Sequence, residues 1–389
     1  MKLYNIAADF KRDTIDSYAD LNKRYKESKV IETYGNITVG NLFEGGRVYA
    51  DIPKIDMPAL ADYIEYSKSK EIGFNYTING SCMGNREFTA EGFSKMRSFI
   101  QDLYAAGVRR LTVALPSVIE LIQSMGLDIE IKASIICQIN NVNKAMDYKR
   151  MGVDRIVVDE SCNRDFLTLK DIRDAFGEKT EIIANSLCHK DCIYRMFHYN
   201  QTAHDSVNKP GESIITYYNH RCMMKRAQDA SNFLKLCWIR PEDIKHYHKI
   251  GIQYYKIQGR HTAFKGDPVR AMRAYFDEDY DGELIELLEL FGHPYSFMVK
   301  LDNKKLDDYL KPFYENPGFC KKHCLSCRYC ETFLYNRISQ SETEAMNKLT
   351  MDFYNEFDEY MELLKTQPIL NEEATQQAKQ SSDAISFNF

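Results

Sequence analysis

Residues 129–158 read IEIKASIICQINNVNKAMDYKRMGVDRIVV. An apolar, β-branched run at Ile129–Ile135 gives way to Asn141–Met151, where apolar residues recur at three- and four-residue spacing, and then to a second β-branched run at Arg155–Val158. That order is a strand, a crossover helix and a strand, the unit of a parallel sheet. Gly152-Val153-Asp154 stands where a helix C-cap feeds the next strand, and Gly107-Val108-Arg109 repeats the phrase upstream. Working outward, further strands are expected at Leu3–Ala7, Val30–Tyr34, Gly73–Ile78, Leu111–Leu115, Glu181–Asn185 and Tyr254–Ile257. Met57–Ser69, Phe93–Ala106 and Pro241–Ile250 carry helical spacing between them. Eight such units predict a (β/α)8 TIM-like barrel with a small cysteine-rich C-terminal extension. A doubly wound open sheet would show similar alternation.

Three regions follow. Residues 1–290 would form the barrel and carry a first cysteine set; residues 291–340 a cysteine-rich module; residues 341–389 an amphipathic helix over Glu342–Leu364 and a disordered tail over Asn371–Phe389. The 389 residues are 44% hydrophobic and 28% charged, ordinary for a globular enzyme, and the formal net charge of −5 offers no general footprint for nucleic acid or anionic membrane. Between Cys188 and Arg260, however, twelve Lys or Arg face six Asp or Glu, and seven of the nine histidines lie between His189 and His261. An anionic small molecule or a peptide segment suits that stretch; a solvated basic face is the plainer reading.

Eight of the eleven cysteines form two sets of four: Cys188, Cys192, Cys222 and Cys237, then Cys320, Cys324, Cys327 and Cys330. Four thiolates are what one tetrahedral zinc or one iron–sulfur cluster requires. The opening MKLYNIAADF lacks a signal-like pattern and no run of apolar residues is long enough to span a bilayer, so a reducing cytoplasm and free thiols are expected. Spacing alone leaves zinc and iron–sulfur open for the first set. The compact Cys-x3-Cys-x2-Cys-x2-Cys of the second favours a cluster over zinc. Its first three cysteines match radical S-adenosylmethionine spacing, but Cys330 supplies a fourth thiolate that would close the site.

Polar residues at strand ends are candidates for the catalytic mouth: Asn79, Cys82, Asn85 and Arg86 after one strand, Gln138, Asn140 and Asn141 after another, Asp159 and Glu160 after a third. Each is equally read as a turn or cap residue. Arg260 can pair bidentately with a carboxylate or phosphate. His198 and His220, on the cysteine-bearing connection, could shuttle protons near neutral pH. Cys82 has no recognisable nucleophile–base partner, and neither His-Glu-x-x-His nor Gly-x-Ser-x-Gly occurs.

Asn185-Ser186-Leu187-Cys188 after an apolar strand, Arg221-Cys222, a further cysteine and Tyr255-Lys256-Ile257-Gln258-Gly259-Arg260 together resemble the collagenase-like peptidase family U32. The similarity runs from about Gly73 to about Phe276. It implies a four-iron four-sulfur cluster on Cys188, Cys192, Cys222 and Cys237, with Lys256, Gln258 and Arg260 binding a co-substrate. Family members hydroxylate a ring or a nucleobase without molecular oxygen, with prephenate as apparent oxygen donor. The resemblance therefore implies an oxygen-independent oxidoreductase with prephenate or another carboxylate co-substrate, an electron-donor protein, and a carboxylate-holding catalytic role for Arg260, while His198, His220 and Asn79 are catalytic candidates by their positions alone. Nucleic acid is not favoured. Two features depart from the family: only three residues separate Cys188 from Cys192, and Gln258 replaces the usual Glu, so that side chain cannot act as a base. A U32 peptidase and a non-catalytic iron–sulfur scaffold in a heteromeric complex are the alternatives.

Overall fold

The computed structural model describes residues 1–47, 52–207, 217–292 and 301–337, with 351, 352, 355, 358, 359 and 362; the side chains of residues 219, 220 and 227 lie outside it. Eight parallel strands close into a barrel in sequence order. They are β1 (Lys2–Ala7), β2 (Ser28–Gly35), β3 (Gly73–Ile78), β4 (Arg110–Val113), β5 (Glu130–Ala133), β6 (Arg155–Val157), β7 (Thr180–Ile183) and β8 (Tyr254–Ile257). The open-sheet alternative is excluded, because β8 pairs with β1 through Leu3–Tyr254 to Ile6–Ile257. The crossover helices are α1 (Arg12–Arg24), α2 (Met57–Ser69), α3 (Ala90–Ala105), α4 (Pro116–Ser124), α5 (Val142–Arg150) and α6 (Phe166–Phe176). Between β7 and β8 run α7 (Arg195–Val207), α8 (Tyr217–Gln228) and α9 (Ile244–Lys249). After the barrel come α10 (Arg260–Ala263), α11 (Pro268–Asp277), α12 (Leu284–Leu288), α13 (Lys311–Glu315), α14 (Cys324–Cys327) and α15 (Tyr329–Tyr335).

Local chemistry places these ends. Asn141 caps α5 by accepting from the Lys144 amide at 3.0 Å, and Gly152, at φ 75°, takes the left-handed turn into β6. Asp56 and Pro58 open α2, and Asp165 caps α6.

Strand alternation separates two buried faces. Tyr4, Ile6, Phe74, Tyr76, Leu111, Val113, Ile131, Ile156, Ile182, Tyr255 and Ile257 point outward into the core beneath the helices. The inward face is polar. Following the ladder registers, its lowest layer comes from even strands (Glu32, Arg110, Arg155, Tyr254) and the next from odd strands (Asn5, Asn75, Lys132, Glu181). Tyr34, Thr112, Val157 and Lys256 follow, and the small Ala7, Thr77 and Ser134 with Ile183 lie above them.

The two lower layers form one ion-paired network. Lys132 Nζ lies 2.6 Å from Glu32 and 2.9 Å from Glu181; Arg155 reaches Glu32 at 2.8 Å; Asn5 donates to Glu181 at 2.6 Å. Burial by itself would raise the Glu32 carboxyl, but Arg155, Lys132 and Arg110 outweigh it and hold it at about 2.

The extension packs on the same core: Leu301, Leu306, Tyr309, Leu310, Phe313, Phe333 and Leu334 join its hydrophobic cluster. The expected helix over Glu342–Leu364 lies outside the described residues except for a few helical positions such as Met351 and Asp358, and the Asn371–Phe389 tail lies wholly outside them. Among the described residues no helix is long and apolar enough to cross a membrane.

Candidate functional site

On the β2–β3 side of the mouth, Arg260 Nη1 donates to Asn36 Oδ1 and, at 3.0 Å, to Thr77 Oγ1, so the buried guanidinium is held at the top of the barrel against β2 and β3. Asn79 stands beside it and accepts from the Gly46 amide at 3.1 Å; a Cβ on Gly46 would lie 2.9 Å from Asn79 Nδ2 and 3.5 Å from Arg260 Nη2, so this approach depends on glycine. Lys256, one turn of β8 below, rests its amine 4.1 Å from the centre of the Tyr34 ring. Gln258 faces a different way: its backbone N–H donates to Asn185 Oδ1 at 2.7 Å and its carbonyl accepts from Asn185 Nδ2 at 2.7 Å, a β7–β8 clasp.

Several strand-end candidates are structural. Asn141 is the α5 cap, Arg86 is paired with Glu44, and Asn85 and Gln138 occupy left-handed turns at φ 61° and 49°. Among the described residues, Cys82 accepts only a backbone N–H, from Gly84 at 3.4 Å.

On the β6–β7 side the mouth is charged. Arg195, at the start of α7, donates to Asp159 at 2.6 Å and lies 3.7 Å from Glu160, and all three are buried. Glu160 accepts from the Cys188 thiol; burial, then Asp159, raises its carboxyl. Burial and the Glu160 charge push the Cys188 thiol up to about 12, and burial raises Cys237 as well. The Cys237 amide donates to the Cys188 carbonyl at 3.0 Å beside a His189–Leu236 antiparallel bridge. Arg226 of α8 reaches Cys222 Sγ at 3.3 Å and the Leu187 carbonyl at 2.6 Å. Cys188, Cys222 and Cys237 are thus gathered from a loop, a helix and a returning chain, with buried guanidiniums beside them. Cys192 is half-buried at the end of the same loop, past Asp191 at φ 51°.

The second cysteine set lies against the first. Lys190, between Cys188 and Cys192, places Nζ 3.6 Å from Cys320 Sγ, and Asp191 pairs with Lys322 at 2.9 Å. Tyr309 Oη lies 3.3 Å from Cys330 Sγ. Arg164 sits buried between the sets, where the fields of both Cys237 and Cys330 reach it. It lies 4.6 Å from the Trp238 ring and 5.1 Å from Tyr309, and donates to the carbonyls of Trp238 and Leu236. Among the described residues it has no carboxylate partner. Cys324 and Cys327 are exposed on α14. Among the described residues no group of three or more His, Cys, Asp or Glu stands close enough, as it lies, to hold a metal ion.

His198, on α7, is held down to about 4 by burial and then by Arg47. The His220 side chain lies outside the described residues. His189 is likewise held down to about 3 by burial and then Arg226, and among the described residues its buried Nε2 has no hydrogen-bond partner. Sequence reasoning missed Arg164, Arg195 and Arg226, since no local pattern marks an arginine that will be buried beside a thiol.

The model of peptidase family U32 matches residues 47–322. The chain belongs to this family. A protein of Methanocaldococcus jannaschii named as an uncharacterized protease is 30% identical over 318 residues, covering 82% of this chain and 91% of its own length. Among solved structures, the U32 peptidase Mk0906 is 15% identical, with a TM-score of 0.48 over 67% of this chain and 93% of that one. The carboxyl transferase domain of Rhizobium etli pyruvate carboxylase is 9% identical, with a TM-score of 0.36 over 92% of this chain and 61% of that one.

Proposed function

We propose that this U32 protein is an iron–sulfur oxidoreductase that modifies a small anionic molecule or a peptide without molecular oxygen. The observation that carries the reading is the burial of cations against thiols: Arg226 on Cys222, Arg195 by Cys188, and Arg164 between Cys237 and Cys330. Arg164, buried with no carboxylate partner among the described residues, is the costly case, and thiolates ligating a cluster would supply it with an anion. The donor chemistry suits a four-iron four-sulfur cluster on Cys188, Cys192, Cys222 and Cys237 and a second on Cys320, Cys324, Cys327 and Cys330, with zinc as the alternative there. Binding would draw Cys192 and the exposed Cys324 and Cys327 inward, the coupling of metal to local order that thiolate sites display. Such clusters supply electron transfer.

This chain's own residues would do the rest. Arg260 would hold a carboxylate of the co-substrate, prephenate or another, and Asn79 would orient it. Glu160, kept protonated more readily by burial, would manage a proton beside Cys188. An electron-donor protein and a heteromeric partner are part of the same proposal, as is a cytoplasmic setting.

The test is iron, sulfide and zinc content with the electronic spectrum, on protein purified without oxygen, for wild type, Cys188→Ala and Cys324→Ala. The reading requires about eight irons per chain, falling by about half in each variant. Zinc alone, without visible absorption, sinks it.

A second reading, peptide hydrolysis, is favoured by the names of the relatives. The described geometry offers it little, because Cys188 is a poor nucleophile with its thiol pushed to about 12 and given to Glu160. Peptide cleavage by colourless, metal-free protein would establish it.

A further inference from the structure

Lys256 is 6% exposed, and among the described residues its amine makes no hydrogen bond and no ion pair. The carboxylates beneath it are already satisfied: Glu32 and Glu181 are matched by Lys132 and Arg155. A buried ammonium with only an aromatic face for company is unfavourable, and burial, then the neighbouring Lys132, lowers its proton affinity to about 7. Desolvation beside another cation is what turns a lysine into a nucleophile. The layer above the amine is formed by the short side chains of Ala7, Thr77 and Ser134 together with Ile183. Above that layer stands Arg260, tied to Asn36 and Thr77.

We propose that Lys256 is a covalent site for a 2-oxo acid, its amine forming an imine with the substrate carbonyl while Arg260 holds the carboxylate. The Nζ lone pair attacks the carbonyl carbon, the C–N bond forms, and the carbonyl oxygen leaves as water with the two amine protons; no electron is gained or lost. The inference rests on the carboxylate-holding role proposed for Arg260 and is independent of the clusters. Arg260 supplies the bidentate grip that a carboxylate fits, and the imine, once protonated, serves as an electron sink for the adjacent carbon.

The experiment is reduction of the full-length protein with sodium borohydride in the presence of pyruvate or glyoxylate, read by intact mass and peptide mapping. One reduced adduct per chain is expected, on Lys256, and none in Lys256→Met, with both proteins folded by circular dichroism. Arg260→Lys should raise the pyruvate concentration for half-labelling of Lys256, read at that residue by peptide mapping, at least tenfold. Labelling that is scattered over surface lysines, or that persists in Lys256→Met, overturns the covalent site. An unaltered half-labelling concentration in Arg260→Lys overturns the carboxylate assignment, and does so whatever the iron content proves to be.

Discussion

Lys132 and Lys256 occupy neighbouring layers of one barrel, 1% and 6% exposed, yet their surroundings are opposite. Lys132 sits between two carboxylates at 2.6 and 2.9 Å, and Lys256 has a tyrosine ring. The lower cation is part of what closes the barrel, because each charge in its network is matched. The upper one costs the fold something and is explained only by what it would bind. Pairing thus separates a structural floor from a working mouth in a single interior.

The largest test of that contrast is Lys132→Met. It keeps the stem but strands a buried carboxylate, so a loss of about 3–5 kcal/mol is expected in urea unfolding. Equal losses from Lys132→Met and Lys256→Met would break the comparison.

Acid should expose the floor next. The folded Glu32 carboxyl, at about 2, lies below its ordinary value. Its contribution is therefore complete above the unfolded carboxyl range and disappears as pH falls from about 4.3 toward about 2. Stability measured across that window should decline more steeply in wild type than in Glu32→Gln.

Arg164 extends the contrast outside the barrel, as a second buried cation with no carboxylate among the described residues. Arg164→Gln should lower iron content at both cysteine sets at least twofold, with Arg164→Lys recovering part of it. A loss confined to thermal stability, with iron unchanged, would make Arg164 a packing residue of the Trp238–Tyr309 cluster.

The smallest effect belongs to Lys256→Met at alkaline pH, where the amine is neutral in both states and the near-isosteric swap should alter stability by less than about 1.5 kcal/mol. The sign of its pH dependence is diagnostic. With a folded value near 7 and an unfolded value of about 10.4, the unfolded chain binds more protons between them, so wild-type stability rises with pH there. The unfavourable contribution is full below pH 7, and any advantage of Lys256→Met at pH 6 should shrink toward pH 10.

The strand and helix order was legible because alternation and capping are local: β3 and β8 span Gly73–Ile78 and Tyr254–Ile257 as read, and α2 spans Met57–Ser69. The cysteine sets and Arg260 were legible from spacing and family resemblance. Glu32, Lys132, Arg155 and Glu181 were not, since alternating charge on a strand reads as a solvent-facing side. Arg195 and Asp159 meet across 36 residues of chain, and Arg164 reaches the Trp238 carbonyl across 74.

What this sequence determined by itself was therefore the repeat, the family and two sets of four thiols, because periodicity and spacing are properties of the chain. Only the tertiary structure decided that the barrel's inner face is ionic, that among the described residues Lys256 has no charged partner in it, and that the second cysteine set stands against the loop of the first. Closure into a barrel buries both faces of every strand, and whether a buried charge is satisfied depends on residues that meet only after the last strand has paired with the first.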